Sequence, residues 1–177
     1  MQDIEVELKF HLPEGENNRL LVFLESNAQF TKEIKMKDSY YMPIHRDFTE
    51  VRPIIEWLRI RKSDKGHSVN YKNRIIKDGV TQNYCDEFNT SLEKPEQLEK
   101  IFLALDIKPL IVVDKVRKSF IYQQVEVSLD TIEALGDFVE LEMKGQFETP
   151  EEAREKLYQL AERLGLQKEW QDTKGYP

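Results

Sequence analysis

The chain has 177 residues, of which 33% are charged and 40% hydrophobic, with a formal net charge of −7 and a pI near 5.2. This composition is globular, long enough to bury a core, and its acidity argues against a dedicated nucleic-acid binder. A single cysteine, Cys85, excludes an intramolecular disulfide. No apolar run approaches the roughly 18–20 residues of a membrane span, and no leader pattern opens the chain. The expectation is one domain over 1–177, cytoplasmic and away from membranes.

In chain order, IEVELKF (4–10) alternates apolar and charged residues as a strand does. Pro13 leads to a helix near 14–26, with Leu20, Leu21, Phe23 and Leu24 on its apolar side. A strand at 35–43 stops at Pro43, and 44–55 reads as a loop. EWLRIRKS (56–63) is a strand, followed by the turn Asp64–Lys65–Gly66 and a strand at 67–74. Lys77–Asp78–Gly79 marks another turn before a strand over 80–88. Pro95 starts a helix over 95–105, and strands follow near 112–122, 124–130 and 137–144. Thr149–Pro150–Glu151–Glu152 is a helix start of N-cap, proline and acids, and that helix stops at Gly165. About eight mostly antiparallel strands with a few helices make an α+β domain around a large sheet or barrel.

Alternation sorts the charges. Glu5, Glu7 and Lys9 oppose Ile4, Val6 and Leu8, and VELEMKG (139–145) repeats the pattern with Glu140, Glu142 and Lys144. Trp57, Arg59 and Arg61 share a face, Asn70 and Lys72 another, and Lys115, Arg117 and Ser119 a third. Glu126, Ser128 and Asp130 oppose Val125, Val127 and Leu129, while Glu87 adds an acid. Lys32 and Lys35 fall outside these faces. Two arrangements satisfy the pattern. An open sheet would turn its charged face to water. A closed sheet would gather the same charges in a polar lumen, with helices covering the apolar faces of Val6, Leu8, Leu58 and Ile60. Carboxylates together with Arg and Lys forks could there hold a polyanion and a hard divalent cation.

The motifs resemble, in order, those of the CYTH superfamily, or triphosphate tunnel metalloenzymes. They are ExExK at 5–9, DSYY at 38–41, LRIR at 58–61, NYK at 70–72, Glu87, KVRKSF at 115–120 and LDTIEALGDFVELE at 129–142. The resemblance implies an eight-stranded antiparallel β-tunnel with a charged lumen and helices packed outside. It implies Glu5, Glu7, Glu140 and Glu142 as ligands for Mg²⁺ or Mn²⁺, with Asp130 as a further one. Lys9, Arg59, Arg61, Lys72, Lys115 and Arg117 would clamp the triphosphate, and Lys9, Tyr40 and Lys72 would serve catalysis. The two ExExK strands are expected to face each other across the tunnel and enclose the metal. The family's C-terminal motif is incomplete, Tyr176 alone remaining.

LGDFVELE resembles class IV adenylyl cyclases, which convert ATP to cyclic AMP and pyrophosphate. Trp57 before LRIR, and Tyr40 with Lys9, resemble thiamine triphosphatases. The cyclase is the first expectation. The alternatives are hydrolysis of tripolyphosphate, thiamine triphosphate or a nucleoside triphosphate, and a non-catalytic phosphate-binding module. Intact glutamates on both strands argue against the last. ATP or another triphosphate is the expected partner, with no nucleic acid or membrane, and a homodimer stays open. His11, His45 and His67 lie in or beside loops without metal-ligand spacing, and Cys85 reads as a buried small side chain.

Overall fold

Strict alternation lets one strand present apolar side chains to a core and charges to the other side, and eight such strands form the sheet. In this computed structural model, residues 4–51, 54–77 and 80–172 are described. The strands are β1 (Ile4–Leu12), β2 (Gln29–Pro43), β3 (Glu56–Ser63), β4 (Gly66–Lys77), β5 (Val80–Ser91), β6 (Ile107–Tyr122), β7 (Val125–Ile132) and β8 (Gly136–Met143). They pair in the order β1-β5-β4-β3-β2-β6-β7-β8 and close as a barrel. The closed alternative, not the open sheet, is the fold. β2 and β6 run to 15 and 16 residues, longer than the alternation at 35–43 and 112–122 predicted. Their additional residues, such as Thr31, Lys32, Lys108 and Pro109, lack the apolar alternation that signals a strand. Pro53, the Asp78–Gly79 turn and the C-terminal Thr173–Pro177 lie outside the described residues.

Contacts divide the chain into two compact units, one centred on Lys35–Asp114, the other formed by Ile4–Ile34 and Lys115–Thr173. In the first unit, helix α2 (Pro95–Ala104) lays Leu98 and Phe102 on the sheet's apolar side. Phe102, Tyr41 and Ile60 are buried there with Leu58 and Val69 around them. The β3–β4 turn needs Gly66, whose φ of 135° a side chain would strain.

In the second unit, helix α1 (Glu16–Asn27) buries Leu20 and Leu24 and helix α3 (Pro150–Arg163) buries Ala153, Leu157, Leu160 and Ala161. Helix α3 packs on β1 and β8 and α1 on β8, against strands whose Val6, Leu8, Val139 and Leu141 are no more than 1% exposed. The α3 start forms as its sequence predicts. Thr149 caps it by accepting a hydrogen bond from Glu152 N at 3.2 Å, and Gly165 beyond its end takes φ 75°. A short 3-10 helix, Lys168–Trp170, follows, and Asp172 N donates to Lys9 O at 2.8 Å. No described helix is long and apolar enough to cross a membrane.

Candidate functional site

The charged residues lie opposite each apolar core. In the first unit, β2 and β3 pair with Asp38 beside Arg61 and Tyr40 beside Arg59. Arg61 donates through Nε and Nη2 to the two oxygens of Asp38, both at 2.7 Å. Arg59 Nη1 reaches Oδ2 of the same carboxylate at 3.3 Å. Asp38 is 0% exposed and Tyr40 is buried next to it on the same strand face. One carboxylate thus holds two guanidiniums. Lys72 sits opposite Trp57 on one side and Glu87 on the other, and Asn70 donates to Glu87. The Arg74 guanidinium lies over the Trp57 ring, 5.1 Å from its centroid. Trp57 is therefore already stacked with a cation.

The second unit repeats the device deeper in protein. Arg117 Nε and Nη2 donate to Asp130 Oδ1 and Oδ2, each at 2.6 Å, and Lys115 Nζ donates to Oδ2 at 2.8 Å. The Lys115 and Asp130 side chains are each 1% exposed. Burial alone would raise the Asp130 pKa, but the Arg117 and Lys115 charges overcome it and hold the carboxyl below the usual range. Arg117 Nη2 also donates to Glu140 Oε2 at 3.0 Å, and Lys9 Nζ lies 3.8 Å from that oxygen. Glu142 is contacted by Lys144, whose ammonium also lies 4.0 Å from Glu126. Lys32 Nζ lies 3.5 Å from Glu126 on its other oxygen. Burial and the charges of Glu5 and Glu140 push the Glu142 carboxyl up to about 7, with Lys144 opposing.

The two ExExK strands do not face each other across a tunnel. β1 and β8 are hydrogen-bonded neighbours, with Glu7 opposite Glu142 and Lys9 opposite Glu140. Antiparallel reading of the same motif sets acid beside acid at one pair and lysine beside acid at another. The acids still meet, side by side instead of across a gap. Lys32 also departs from expectation. It leaves the bland surface and joins the acid array through Glu126. Among the described residues, no group of three or more His, Cys, Asp or Glu side chains forms a preformed metal centre. Asp130, Glu126, Glu140 and Glu142 each engage at least one cation. His67 is the second residue of β4, beside the β3–β4 turn, His11 stacks on Phe138 with centroids 4.8 Å apart, and Cys85 is buried.

Sequence reasoning quoted Asp38 and left it without a role, and it passed over Arg74. An aspartate under two arginines is visible only once the β2–β3 register is known, since Asp38 lies more than 20 positions from either arginine. Arg74 shares the parity of Asn70 and Lys72, which is the signal that could have found it.

Known proteins carry the same architecture. A protein from Methanocaldococcus jannaschii, provisionally named an adenylate cyclase, is 30% identical over 169 residues, covering 94% of this chain and 92% of its own. A solved structure from Pyrococcus horikoshii superposes with a TM-score of 0.77 at 25% identity, covering 95% of this chain and 94% of that one. A Hippeastrum structure described as an adenylyl cyclase candidate with a dominant triphosphatase activity gives 0.65 at 16% identity, covering 98% and 91%. The CYTH domain matches residues 3–176, and this chain is a member of that family of triphosphate-acting enzymes.

Proposed function

We propose that this protein is a divalent-metal-dependent enzyme acting on a triphosphate, and that its reaction converts ATP to cyclic AMP and pyrophosphate. One observation carries the triphosphate: each unit uses a fully buried aspartate to fix two cations two residues apart on a neighbouring strand. A guanidinium has five donors, and Asp38 takes two of those of Arg61. Pre-oriented cations cost a polyanion less reorganisation than mobile surface lysines would. Arg59, Arg61, Lys72, Lys9, Lys115 and Arg117 form the clamp in this reading, while Asp38 and Asp130 are the counter-ions that aim it. Asp130 leaves the metal set because both of its oxygens already accept from cations.

The metal implied by the family fits Glu5, Glu7, Glu140 and Glu142, whose hard oxygens suit Mg²⁺ or Mn²⁺ and whose crowding raises the Glu142 pKa. Mg²⁺ typically takes one or two carboxylates and completes its shell with substrate phosphates and water, so it needs no dedicated cage of side chains. When bound, such a cation neutralises polyphosphate charge and makes the phosphorus more electrophilic. In the cyclase reaction the O3′–Pα bond forms, the bond from Pα to the bridging oxygen breaks with its electron pair leaving on pyrophosphate, and the 3′-hydroxyl proton passes through water to that pyrophosphate. Lys9 and Lys72 neutralise charge gathering on the departing pyrophosphate. Tyr40, buried beside the Asp38 clasp, orients the reacting groups through its hydroxyl.

Two features support the cyclase reading: the name of the M. jannaschii relative and the Leu135–Gly136–Asp137–Phe138 stretch. That stretch is built in, with Thr131 Oγ1 donating to Asp137 at 2.7 Å and Gly136 at φ 90°. Hydrolysis of the triphosphate is the second reading, favoured by the description of the Hippeastrum protein. The deciding assay incubates the protein with ATP, thiamine triphosphate and tripolyphosphate, each with Mg²⁺ or Mn²⁺, and resolves cyclic AMP, pyrophosphate and orthophosphate. Cyclic AMP with pyrophosphate is the expected result. Orthophosphate without cyclic AMP moves the protein to the triphosphatases, and no turnover moves it to the binding modules.

A further inference from the structure

The second ExExK ends in a lysine that the clamp does not use. Lys9, which ends the first, reaches across to Glu140 on the neighbouring strand. Lys144 instead turns back along its own strand onto Glu142. Its backbone is fixed there: Lys144 N and Gly145 N both donate to Gln124 O, at 2.9 and 3.1 Å. A side chain at Gly145 would run into Gln124, whose Oε1 would stand 2.6 Å from the added Cβ. The ammonium therefore starts from a rigid corner beside the acids.

Around that corner stand three carboxylates. Lys144 contacts Glu142 and lies 4.0 Å from Glu126, which Lys32 also approaches. Glu5 adds its charge to the same corner. The side chain is 43% exposed, so a long flexible stem can swing without breaking a packed core.

We propose that Lys144 is a built-in counter-ion of the metal-free enzyme, occupying the charge position a divalent cation takes and leaving it when metal and triphosphate arrive. The inference rests on the divalent-metal reading above. An ammonium carries one charge and no coordination shell, so it can quiet the repulsion between Glu142 and Glu5 but cannot bridge phosphate to carboxylate. Its departure needs somewhere to go. Glu126, on β7 opposite Glu142, offers one carboxylate, and the bound triphosphate offers another anion. Metal must therefore compete with Lys144 when it binds alone, and the competition relaxes once a triphosphate takes the ammonium. Metal and triphosphate then strengthen each other's binding through one side chain, and the coupling is reciprocal.

The test measures Mn²⁺ binding by the electron paramagnetic resonance of free Mn²⁺, with no turnover involved. Wild type, Lys144→Met and Lys144→Arg are titrated alone and with a methylene-bridged ATP analogue. Lys144→Met is expected to bind Mn²⁺ at least about tenfold more tightly than wild type without the analogue, because a competing charge within contact distance is gone. The gain that the analogue brings to wild type should shrink in Lys144→Met and return in Lys144→Arg, which keeps the charge. Equal or weaker Mn²⁺ binding by Lys144→Met, with wild-type binding measurable, overturns the counter-ion role and leaves the metal reading standing. Absence of Mn²⁺ binding in every protein, with and without analogue, overturns the metal reading and this inference with it.

Discussion

The two units build one clasp in two settings. Asp38 takes Arg59 and Arg61, and Asp130 takes Lys115 and Arg117, in each case with the aspartate opposite the second cation of the pair. Around Asp38 the arginine side chains keep 15% and 20% of their exposure, whereas the cations on Asp130 keep 1% and 10%. Tyrosine, asparagine and lysine surround the first clasp. Five further acids, Glu5, Glu7, Glu126, Glu140 and Glu142, belong to the second array. A buried ion pair is weak evidence for stability, because desolvation cancels much of its attraction. Two such pairs in matching positions are better explained by what they orient. In the proposed reading the first array serves the anion, and the second, richer in acids, serves anion and cation together.

The largest effects come from breaking the clasps. Asp130→Asn removes the buried carboxylate charge that Lys115 and Arg117 share, with Arg117 keeping its contact to Glu140, and should cost about 3–5 kcal/mol of stability in urea unfolding. Asp38→Asn leaves arginines that water reaches, and roughly 1–3 kcal/mol is expected for an unsatisfied but accessible partner. Equal losses would show that exposure does not distinguish the two settings.

Next in size are the clamp cations. Arg59→Ala and Arg117→Ala should each weaken binding of a non-hydrolysable triphosphate by roughly 2–5 kcal/mol, the cost of truncating one partner of a desolvated charge contact. Lys35→Ala and Lys37→Ala, exposed on β2, should change it by about 0–1 kcal/mol. Calorimetric titration separates the groups. If Arg59→Ala behaves like Lys35→Ala, the first array does not hold the anion.

How much of this was legible in sequence depends on whether a residue's role is local. Parity along a strand is local, so the charged faces of β1, β3, β7 and β8 and the apolar faces under the helices could be read directly. The Thr149 cap was equally plain. Pairing between strands is not local. Nothing in ExExK says that its two copies are neighbours, so Glu7 beside Glu142 escaped a reading that placed them on opposite walls. Asp38 and Lys32 were missed for the same reason. Each gains its role from a residue on another strand, Arg61 for one and Glu126 for the other.

The smallest effect probes the acid side of the comparison. In the metal-free protein Glu142 has a carboxyl pushed up to about 7, through burial first and the Glu5 charge second, from an ordinary value of 4.5. The folded state therefore holds the Glu142 proton more tightly than the unfolded chain does. That contribution to stability is complete below about pH 4.5 and fades as pH rises through about 7. Glutamine at this position resembles the protonated acid and does not titrate. Without metal, Glu142→Gln should match wild type near pH 4.5 and exceed it at pH 8 by on the order of 2 kcal/mol. Thermal melts in chelator at the two pH values measure the difference. Mg²⁺ or Mn²⁺ at millimolar concentration should then raise the melting temperature of wild type at pH 8 more than that of Glu142→Gln, because bound metal stabilises only the state that offers it ligands. An advantage for Glu142→Gln that is the same at both pH values would mean that the carboxyl is not crowded by Glu5, and the two arrays would then differ less than their geometry implies.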